Sequence, residues 1–195
     1  MLPVIAAVLF ATGALFATGH GSKNAGNANV AGDEQRTSAK LPPTTKFATG
    51  NIKKGVKAPD FDIANIKQGR IRLRDYAGKA VMLDFWSIGC PPCIEATAHL
   101  QKLFIKYRSK GLAVIGINVD PYPEMAKKFI ARARLTYPIG VATNEMIKNY
   151  GGLPTIPQSF LVDKNGNIAR HYDGFGALSA YQMERDVKRV LGIDK

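Results

Sequence analysis

The hydrophobic pattern of the chain contains two long apolar runs. Residues 80–86 (AVMLDFW) and 112–119 (LAVIGINV) are almost unbroken apolar sequence, which is typical of strands buried on both faces of a sheet. Shorter strands are predicted around a polar turn and around an Asn-Gly step, which is a strong hairpin signal: residues 61–63 and 70–73, and residues 159–162 and 168–172.

Apolar residues at helical spacing separate these strands. Gly111 is placed to act as the C-cap of the first helix, and Ser179 with Gln182 has capping-box spacing at the start of the last helix. The order strand–helix–strand–helix, then a hairpin and a final helix, predicts an α/β fold with a mixed central β-sheet flanked by helices. The predicted helices span residues 92–109, 123–134, 145–150 and 179–191.

The start of the chain differs in composition from the rest. Residues 2–16 are almost continuously apolar and are followed by small residues that fit a cleavage site, so residues 1–19 are predicted to be a signal peptide or an N-terminal membrane anchor. Residues 20–57 are rich in Gly, Asn, Ser, Thr, Lys and Pro without periodicity, which predicts a flexible linker. We therefore expect a periplasmic or otherwise extracytoplasmic protein, with residues 58–195 as its folded domain.

The charge of the chain is high but diffuse. The 195 residues carry a formal net charge of +12, and residues 20–57 contribute seven Lys and Arg against two Asp and Glu. Residues 58–195 lack a basic cluster interleaved with aromatic residues, which a nucleic-acid surface would normally show. We expect a monomer that binds no nucleic acid.

The two cysteines, Cys90 and Cys93, are three positions apart. The loop between them is too short to stabilise a fold through its entropy, so their role is redox chemistry or metal binding. A four-ligand zinc site would need further ligands, whereas the chain has no other cysteine and only scattered histidines: His20, His99 and His171. The pattern favours redox chemistry without a metal or a cofactor.

The sequence Cys90-Pro91-Pro92-Cys93 lies where the first buried strand gives way to the first helix. A helix N-terminus lowers the pKa of a thiol from about 8.5 into a range of roughly 3.5–7.5. Exposed Cys90 is therefore predicted to attack substrate disulfides, and shielded Cys93 to resolve the mixed disulfide. Neither proline can donate an N–H to the Cys90 sulfur, which predicts a pair that donates electrons rather than a strong oxidant.

Four segments together resemble one family. Residues 84–93 (DFWSIGCPPC) resemble the active-site stretch of the thioredoxin superfamily, and residues 58–61, 114–120 and 156–163 resemble the TlpA/ResA/CcmG branch. The resemblance implies a thioredoxin fold with an N-terminal β extension. It also implies an exported protein-disulfide reductase, acting in cytochrome c maturation or in general periplasmic thiol reduction. Its partners would be protein thiol and disulfide substrates and a membrane electron donor of the DsbD/CcdA type.

The same resemblance implies substrate-binding roles for three residues, which are Trp86, Ile156 and Pro157. Pro157 matches the family's cis-proline, which faces the cysteines and binds substrate backbone. Pro154 is the alternative place for a cis bond, but Pro157 stands directly before the predicted strand, as in the family.

Asp84 matches the buried acid of thioredoxin itself. A lone carboxylate in an apolar strand is costly and burial should raise its pKa, so Asp84 is predicted to exchange a proton with Cys93. The alternative is a core Asp held by hydrogen bonds alone. Gly89 and Ala96 depart from the family, which commonly has an aromatic residue and a Glu there. Glu95 is rotated from position 96 by about 100° on a helix, which shifts the acid–base role to Asp84.

Two other classes of protein match in part. A peroxiredoxin has the pattern Pro-x-x-x-Thr/Ser-x-x-Cys, for which Ser87 supplies the hydroxyl but Leu83 stands at the proline position. A copper-binding module on the same fold would need a third soft ligand, and only His99 lies near the cysteines in sequence. Dithiol exchange is the favoured function.

Overall fold

The computed structural model describes residues 54–194, so the predicted signal peptide or anchor and most of the predicted linker lie outside the described residues. The strands are β1 (Asp62–Ala64), β2 (Arg70–Arg72), β3 (Ala80–Trp86), β4 (Leu112–Asn118), β5 (Ile139–Val141), β6 (Gln158–Val162) and β7 (Ile168–Asp173). The helices are α1 (Pro91–Tyr107), α2 (Pro123–Arg132), α3 (Asn144–Asn149) and α4 (Ala177–Leu191). Among residues 54–194, no helix is both long enough and apolar enough to cross a membrane.

Five strands form a mixed sheet in the order β5-β4-β3-β6-β7. Strand β3 is central, parallel to β4 and antiparallel to β6, which confirms the predicted mixed sheet. Every residue of β3 and β4 is buried, as expected for strands covered on both faces. Strands β1 and β2 pair with each other in a separate antiparallel ribbon, which is the implied N-terminal β extension.

The two faces of β3 belong to two different cores. Met82 and Trp86 lie in the core that contains Cys93, whereas Leu83 and Phe85 lie in the core on the opposite side. Successive side chains of a strand alternate between its faces, so Asp84 points to the same side of the sheet as Cys93. The fold thus places the buried acid beneath the helix that carries the dithiol.

Two details differ from the sequence prediction. Strand β5 was not predicted, because three residues are too few to show a period. Helix α4 begins before the predicted residue 179, with Gly176 as its N-cap. Ser179 is the third helical residue, and its hydroxyl oxygen accepts the Gly176 N–H at 2.8 Å. Gly111 ends the helical segment with a φ of 98°, as predicted for a C-cap.

Candidate active site

The two cysteines form a disulfide at the N-terminus of α1. Cys90 is the N-cap and is half-buried, while Cys93 is the third helical residue and has no accessible surface. A substrate can therefore reach the sulfur of Cys90 but not that of Cys93. This difference in access is what an attacking and a resolving thiol require.

The surroundings of the Cys90 sulfur are poor in hydrogen-bond donors. The Cys93 N–H points at Cys90 Sγ with an N–S distance of 3.3 Å. Pro91 and Pro92 occupy the first two helical positions and have no N–H to offer. The carbonyl oxygen of Ile156 lies 3.6 Å from Cys90 Sγ. A helix N-terminus that normally presents several donors thus presents one here, opposed by a carbonyl dipole.

The segment that faces the dithiol is the loop before β6. The Ile156–Pro157 peptide bond is cis, and it is the only cis bond within residues 54–194. Thr155 anchors this loop, because its hydroxyl donates to Asp173 Oδ1 at 2.6 Å. Ile156 is half-buried beside Cys90, and Pro157 is buried. The substrate-binding roles of both residues stay predictions.

Trp86 does not fit its predicted substrate-binding role. Its side chain has no accessible surface, and its indole packs against the ring of Phe129 with 5.4 Å between centroids. A methyl group added at Gly116 would come within 3.2 Å of Trp86 Nε1, so the glycine leaves room for the indole. A residue without accessible surface cannot contact a substrate, and the role of Trp86 is corrected to packing behind the dithiol.

Asp84 is buried in the middle of β3, where few polar groups contact its carboxylate. Its Oδ1 accepts the hydroxyl of Ser159 at 2.7 Å, while its Oδ2 accepts no hydrogen bond from any described residue. Burial raises the pKa of Asp84 to about 7, against the smaller, opposite effect of the Ser159 hydroxyl. The predicted direction of the pKa shift is confirmed. The proton exchange with Cys93 remains a prediction.

Comparison with known proteins places this geometry in a family. The AhpC/TSA family model matches residues 54–171. The thiol-disulfide oxidoreductase ResA of Bacillus thuringiensis subsp. konkukian (strain 97-27) is 32% identical over 137 residues, covering 70% of this chain and 78% of the relative. ResA of Geobacillus thermodenitrificans (strain NG80-2) is 33% identical, covering 70% and 75%. The chain belongs to the AhpC/TSA family.

Solved structures support the same assignment. A protein of Chlorobium tepidum assigned as the thiol:disulfide interchange protein DsbE superposes with a TM-score of 0.68 at 31% identity, covering 72% of this chain and 99% of that one. A second thiol:disulfide interchange protein, from Chlorobium tepidum TLS, has a TM-score of 0.65 at 26% identity, with the same coverage. The chain is therefore a thioredoxin-fold thiol–disulfide oxidoreductase of the ResA type, as the sequence predicted.

Two features that the sequence singled out in this ResA-type chain lie apart from the dithiol chemistry. Glu95 is exposed and Ala96 is buried, so the acid does not take the position that the family gives to Glu. His99 packs against Phe175 with 5.6 Å between ring centroids, and burial lowers its pKa. No group of three or more His, Cys, Asp or Glu side chains within residues 54–194 is placed to hold a metal ion.

The two residues compared with the peroxiredoxin pattern, Leu83 and Ser87, have other contacts in the structure. Leu83, at the position of the peroxidase proline, is completely buried in the core on the far side of the sheet. The hydroxyl of Ser87 donates to Asp120 Oδ1 at 2.5 Å. This side chain is therefore engaged by a carboxylate rather than by the Cys90 sulfur.

The sequence did not identify Asp120 as a functional residue. It is the last position of the segment 114–120 that resembles the family. It is half-buried just beyond the end of β4 and accepts hydrogen bonds from the segment that precedes Cys90. A signal was available: an acid directly after a buried strand lies at the carboxyl edge of the parallel strands, where α/β folds place their sites.

Proposed function

We propose that this protein is a protein-disulfide reductase that acts through the Cys90–Cys93 dithiol. The Cys90 thiolate attacks one sulfur of a substrate disulfide and releases the other as a thiolate. The Cys93 thiolate then attacks Cys90 Sγ, which forms the Cys90–Cys93 disulfide and releases the second substrate sulfur. Asp84 accepts the proton that leaves Cys93. The substrate gains two electrons and the enzyme loses two.

The carrying observation is the shortage of donors around Cys90 Sγ. A strong oxidant of this fold keeps its reduced form stable by stabilising the thiolate. Here the Cys93 N–H is the only donor of the first turn within reach, since Pro91 and Pro92 have none. The Ile156 carbonyl oxygen at 3.6 Å disfavours a negative sulfur further. Both effects favour the disulfide form and therefore the donation of electrons.

The surface around the dithiol fits a protein substrate. Tyr122 and Met125 lie where α2 leaves the carboxyl end of β4, and they are 74% and 59% exposed. Leu178 and Tyr181 lie near the start of α4, which follows the end of β7 at the same edge of the sheet, and are 70% and 67% exposed. Apolar groups exposed at the edge of the sheet that carries the reactive disulfide support a protein substrate.

The first test concerns the direction of electron flow. We expect the reduction potential of the Cys90–Cys93 couple, measured against glutathione, to be more negative than about −220 mV. Pro92→Ala restores an N–H in the first turn, so the potential should become less negative, by about 30 mV for a tenfold change in equilibrium constant. Pro123→Ala, at the first position of α2, is the matched control and should leave the reduction potential unchanged. A potential near −120 mV in the wild type would mark an oxidant instead.

The second test concerns the order of attack. Cys90→Ser should abolish the reduction of insulin, because no other accessible thiol remains. Cys93→Ser should accumulate mixed disulfides with substrate, because nothing resolves them. Insulin reduction by Cys90→Ser at the wild-type rate would refute the assignment of the nucleophile. Retention of peroxide turnover by Cys93→Ser would support the peroxidase alternative.

We also propose that the domain works outside the cytoplasm and receives electrons from a membrane donor of the DsbD/CcdA type, with cytochrome c maturation or general thiol reduction as its role. The apolar residues 2–16 and the ResA-type relationship support this proposal. Fractionation of cells that express the full chain tests the location. Mixed disulfides trapped by the Cys93→Ser variant identify the partners, and a trap that yields only cytoplasmic proteins would contradict the proposal.

A further inference from the structure

In the loop that connects β3 to the dithiol, the side chain of Ile88 packs against the core that contains Cys93. Ser87 and Ile88 are half-buried, and Gly89 is exposed. A methyl group added at Gly89 would approach only the hydroxyl of Ser87, at 3.9 Å, so no other side chain packs on this position. The positions of Ser87 and Gly89, next to Cys90, are therefore set largely by hydrogen bonds.

Those hydrogen bonds converge on Asp120. Its Oδ1 accepts the Ser87 hydroxyl at 2.5 Å, and its Oδ2 accepts the Ile88 N–H at 3.0 Å. The Ser87 hydroxyl oxygen in turn accepts the Gly89 N–H at 3.2 Å. One carboxylate thus holds two consecutive residues directly and a third through Ser87.

The carboxylate is itself fixed from the sheet side. Asn118, which is completely buried in β4, donates from Nδ2 to Asp120 Oδ2 at 2.7 Å. The backbone between them is also tied to β3, since the Val119 N–H donates to the Trp86 carbonyl oxygen at 3.0 Å. Asp120 therefore links the ends of β3 and β4 to the loop of residues 87–89.

We propose that Asp120 is a positioning residue for the dithiol, which holds the 87–89 loop so that Cys90 Sγ stays within bonding range of Cys93. The inference rests on the proposed role of Cys90. In the reduced protein no covalent bond joins the two sulfurs, so the loop and the helix terminus alone set their separation. A fixed loop raises the effective concentration of one thiol at the other, which favours the disulfide and makes the reduction potential more negative.

The test compares four variants by their equilibrium with glutathione. Asp120→Ala releases the loop, and the equilibrium constant for forming the disulfide should fall about tenfold, a shift of about 30 mV to a less negative potential. Asp120→Asn should stay within about twofold of the wild type. Its amide oxygen can accept the Ile88 N–H while its NH2 donates to Ser87. Ser87→Ala loses one of the two direct contacts and should give an intermediate shift.

The matched control is Asp163→Ala at the opposite end of the sheet. Asp163 also accepts two backbone N–H groups, those of Asn165 and Asn167, in the hairpin between β6 and β7. Its loss should lower the free energy of unfolding without moving the potential. If Asp120→Ala shifts the potential no further than Asp163→Ala, the inference fails. It also fails if Asp120→Asn shifts it as far as Asp120→Ala, because the charge would then matter rather than the position.

Failure of this inference is distinguishable from failure of the proposed function. The potential is an equilibrium property of the pair and does not depend on which cysteine attacks. Insulin reduction by Cys90→Ser would refute the nucleophile assignment while leaving the Asp120 measurement valid. Should Asp120→Ala not fold, Ser87→Ala decides the question alone, and a potential equal to that of the wild type would overturn the proposal.

Discussion

Two buried carboxylates, one in the sheet and one in a helix that packs on it, have opposite surroundings. Asp84 in β3 is in register with Ser159 in β6, which is in register with Tyr172 in β7. The hydroxyl of Ser159 donates to Asp84 at 2.7 Å, and that of Tyr172 donates to Asp186 of α4 at 3.0 Å. Both carboxylates are almost inaccessible, at 0% and 2% exposure. Burial alone therefore does not distinguish them.

Their partners do. Asp186 forms ion pairs with three guanidinium groups, at 3.0–3.3 Å, which belong to Arg170, Arg185 and Arg189. None of the ion pairs within residues 54–194 includes Asp84. A buried charge that is paired ties elements together, whereas one that is unpaired favours protonation near neutral pH. Asp186 thus fastens α4 to β7, while Asp84 remains free to titrate beneath the dithiol.

The largest expected effect is the contribution of Asp84 to the pH dependence of stability. Its folded-state pKa is about 7, raised from 3.8 by burial. Between about pH 4 and 7 the unfolded chain ionises Asp84 while the folded protein keeps its proton. The free energy of unfolding of the wild type should therefore fall relative to Asp84→Asn by at most about 1.4 kcal/mol per pH unit, about 4 kcal/mol in all.

Urea unfolding of the oxidised proteins across this pH range measures the difference. Stability that is fully present below about pH 4 should be lost as the pH rises through about 7, and the two curves should run parallel above it. The new amide of Asp84→Asn adds an offset that does not depend on pH, so the slope decides. Parallel curves over the whole range would show that Asp84 is structural and would remove its acid–base role.

The converse test is Asp186→Asn, which removes the charge of the paired carboxylate. Removal of one partner from a buried pair costs about 3–5 kcal/mol when both partners are buried. The three arginine side chains retain 42–61% exposure, so water compensates part of the loss and we expect about 2–3 kcal/mol. Turnover and reduction potential should remain at wild-type values. A loss of turnover at unchanged stability would place Asp186, too, in the chemistry.

The contrast between these acids also shows how far the sequence could predict the site. Asp84 could be identified because it interrupts a seven-residue apolar run, so its burial followed from the pattern of β3 alone. Asp186 lies among charged residues of an amphipathic helix, where the sequence gives no sign that it is buried. Its partner Arg170 comes from strand β7. Contacts of this kind depend on tertiary packing, which local periodicity does not encode.

The same limit explains the errors around the dithiol. The helix terminus, the two cysteines and the facing loop follow from local signals and a family resemblance. The burial of Trp86 depends on Gly116 and Phe129, which lie on a neighbouring strand and on α2. The contact between Asp120 and Ser87 likewise joins the ends of two strands that are distant in sequence. Strand order decides both, and the sequence predicted the class of sheet without its order.

A smaller effect is expected on catalysis. Asp84→Asn keeps the shape of the side chain and removes its titration, so resolution by Cys93 loses its proton acceptor. Insulin turnover at pH 7 should fall about tenfold, at the weak end of what general acid–base catalysis contributes because hydroxide and buffer can replace the carboxylate in part. Asp186→Asn is the control for a lost buried charge. Equal turnover of wild type and Asp84→Asn from pH 6 to 8 would contradict the role.

The smallest effect concerns Ser159, the single hydrogen-bond partner of Asp84 among the described residues. Its hydroxyl donates more strongly to the charged carboxylate than to the neutral acid, and therefore lowers the pKa of Asp84 against the larger effect of burial. Ser159→Ala should raise that pKa by about half to one unit, or about 0.7–1.4 kcal/mol. The midpoint of the pH-dependent stability should move upward by the same amount. Ser179→Ala, which removes a hydroxyl at the start of α4, should leave it in place. A midpoint that moves downward would mean that Ser159 favours the neutral acid. A hydrogen bond as well as burial would then keep Asp84 protonated. The lack of a cationic partner would no longer be enough to explain the difference between Asp84 and Asp186.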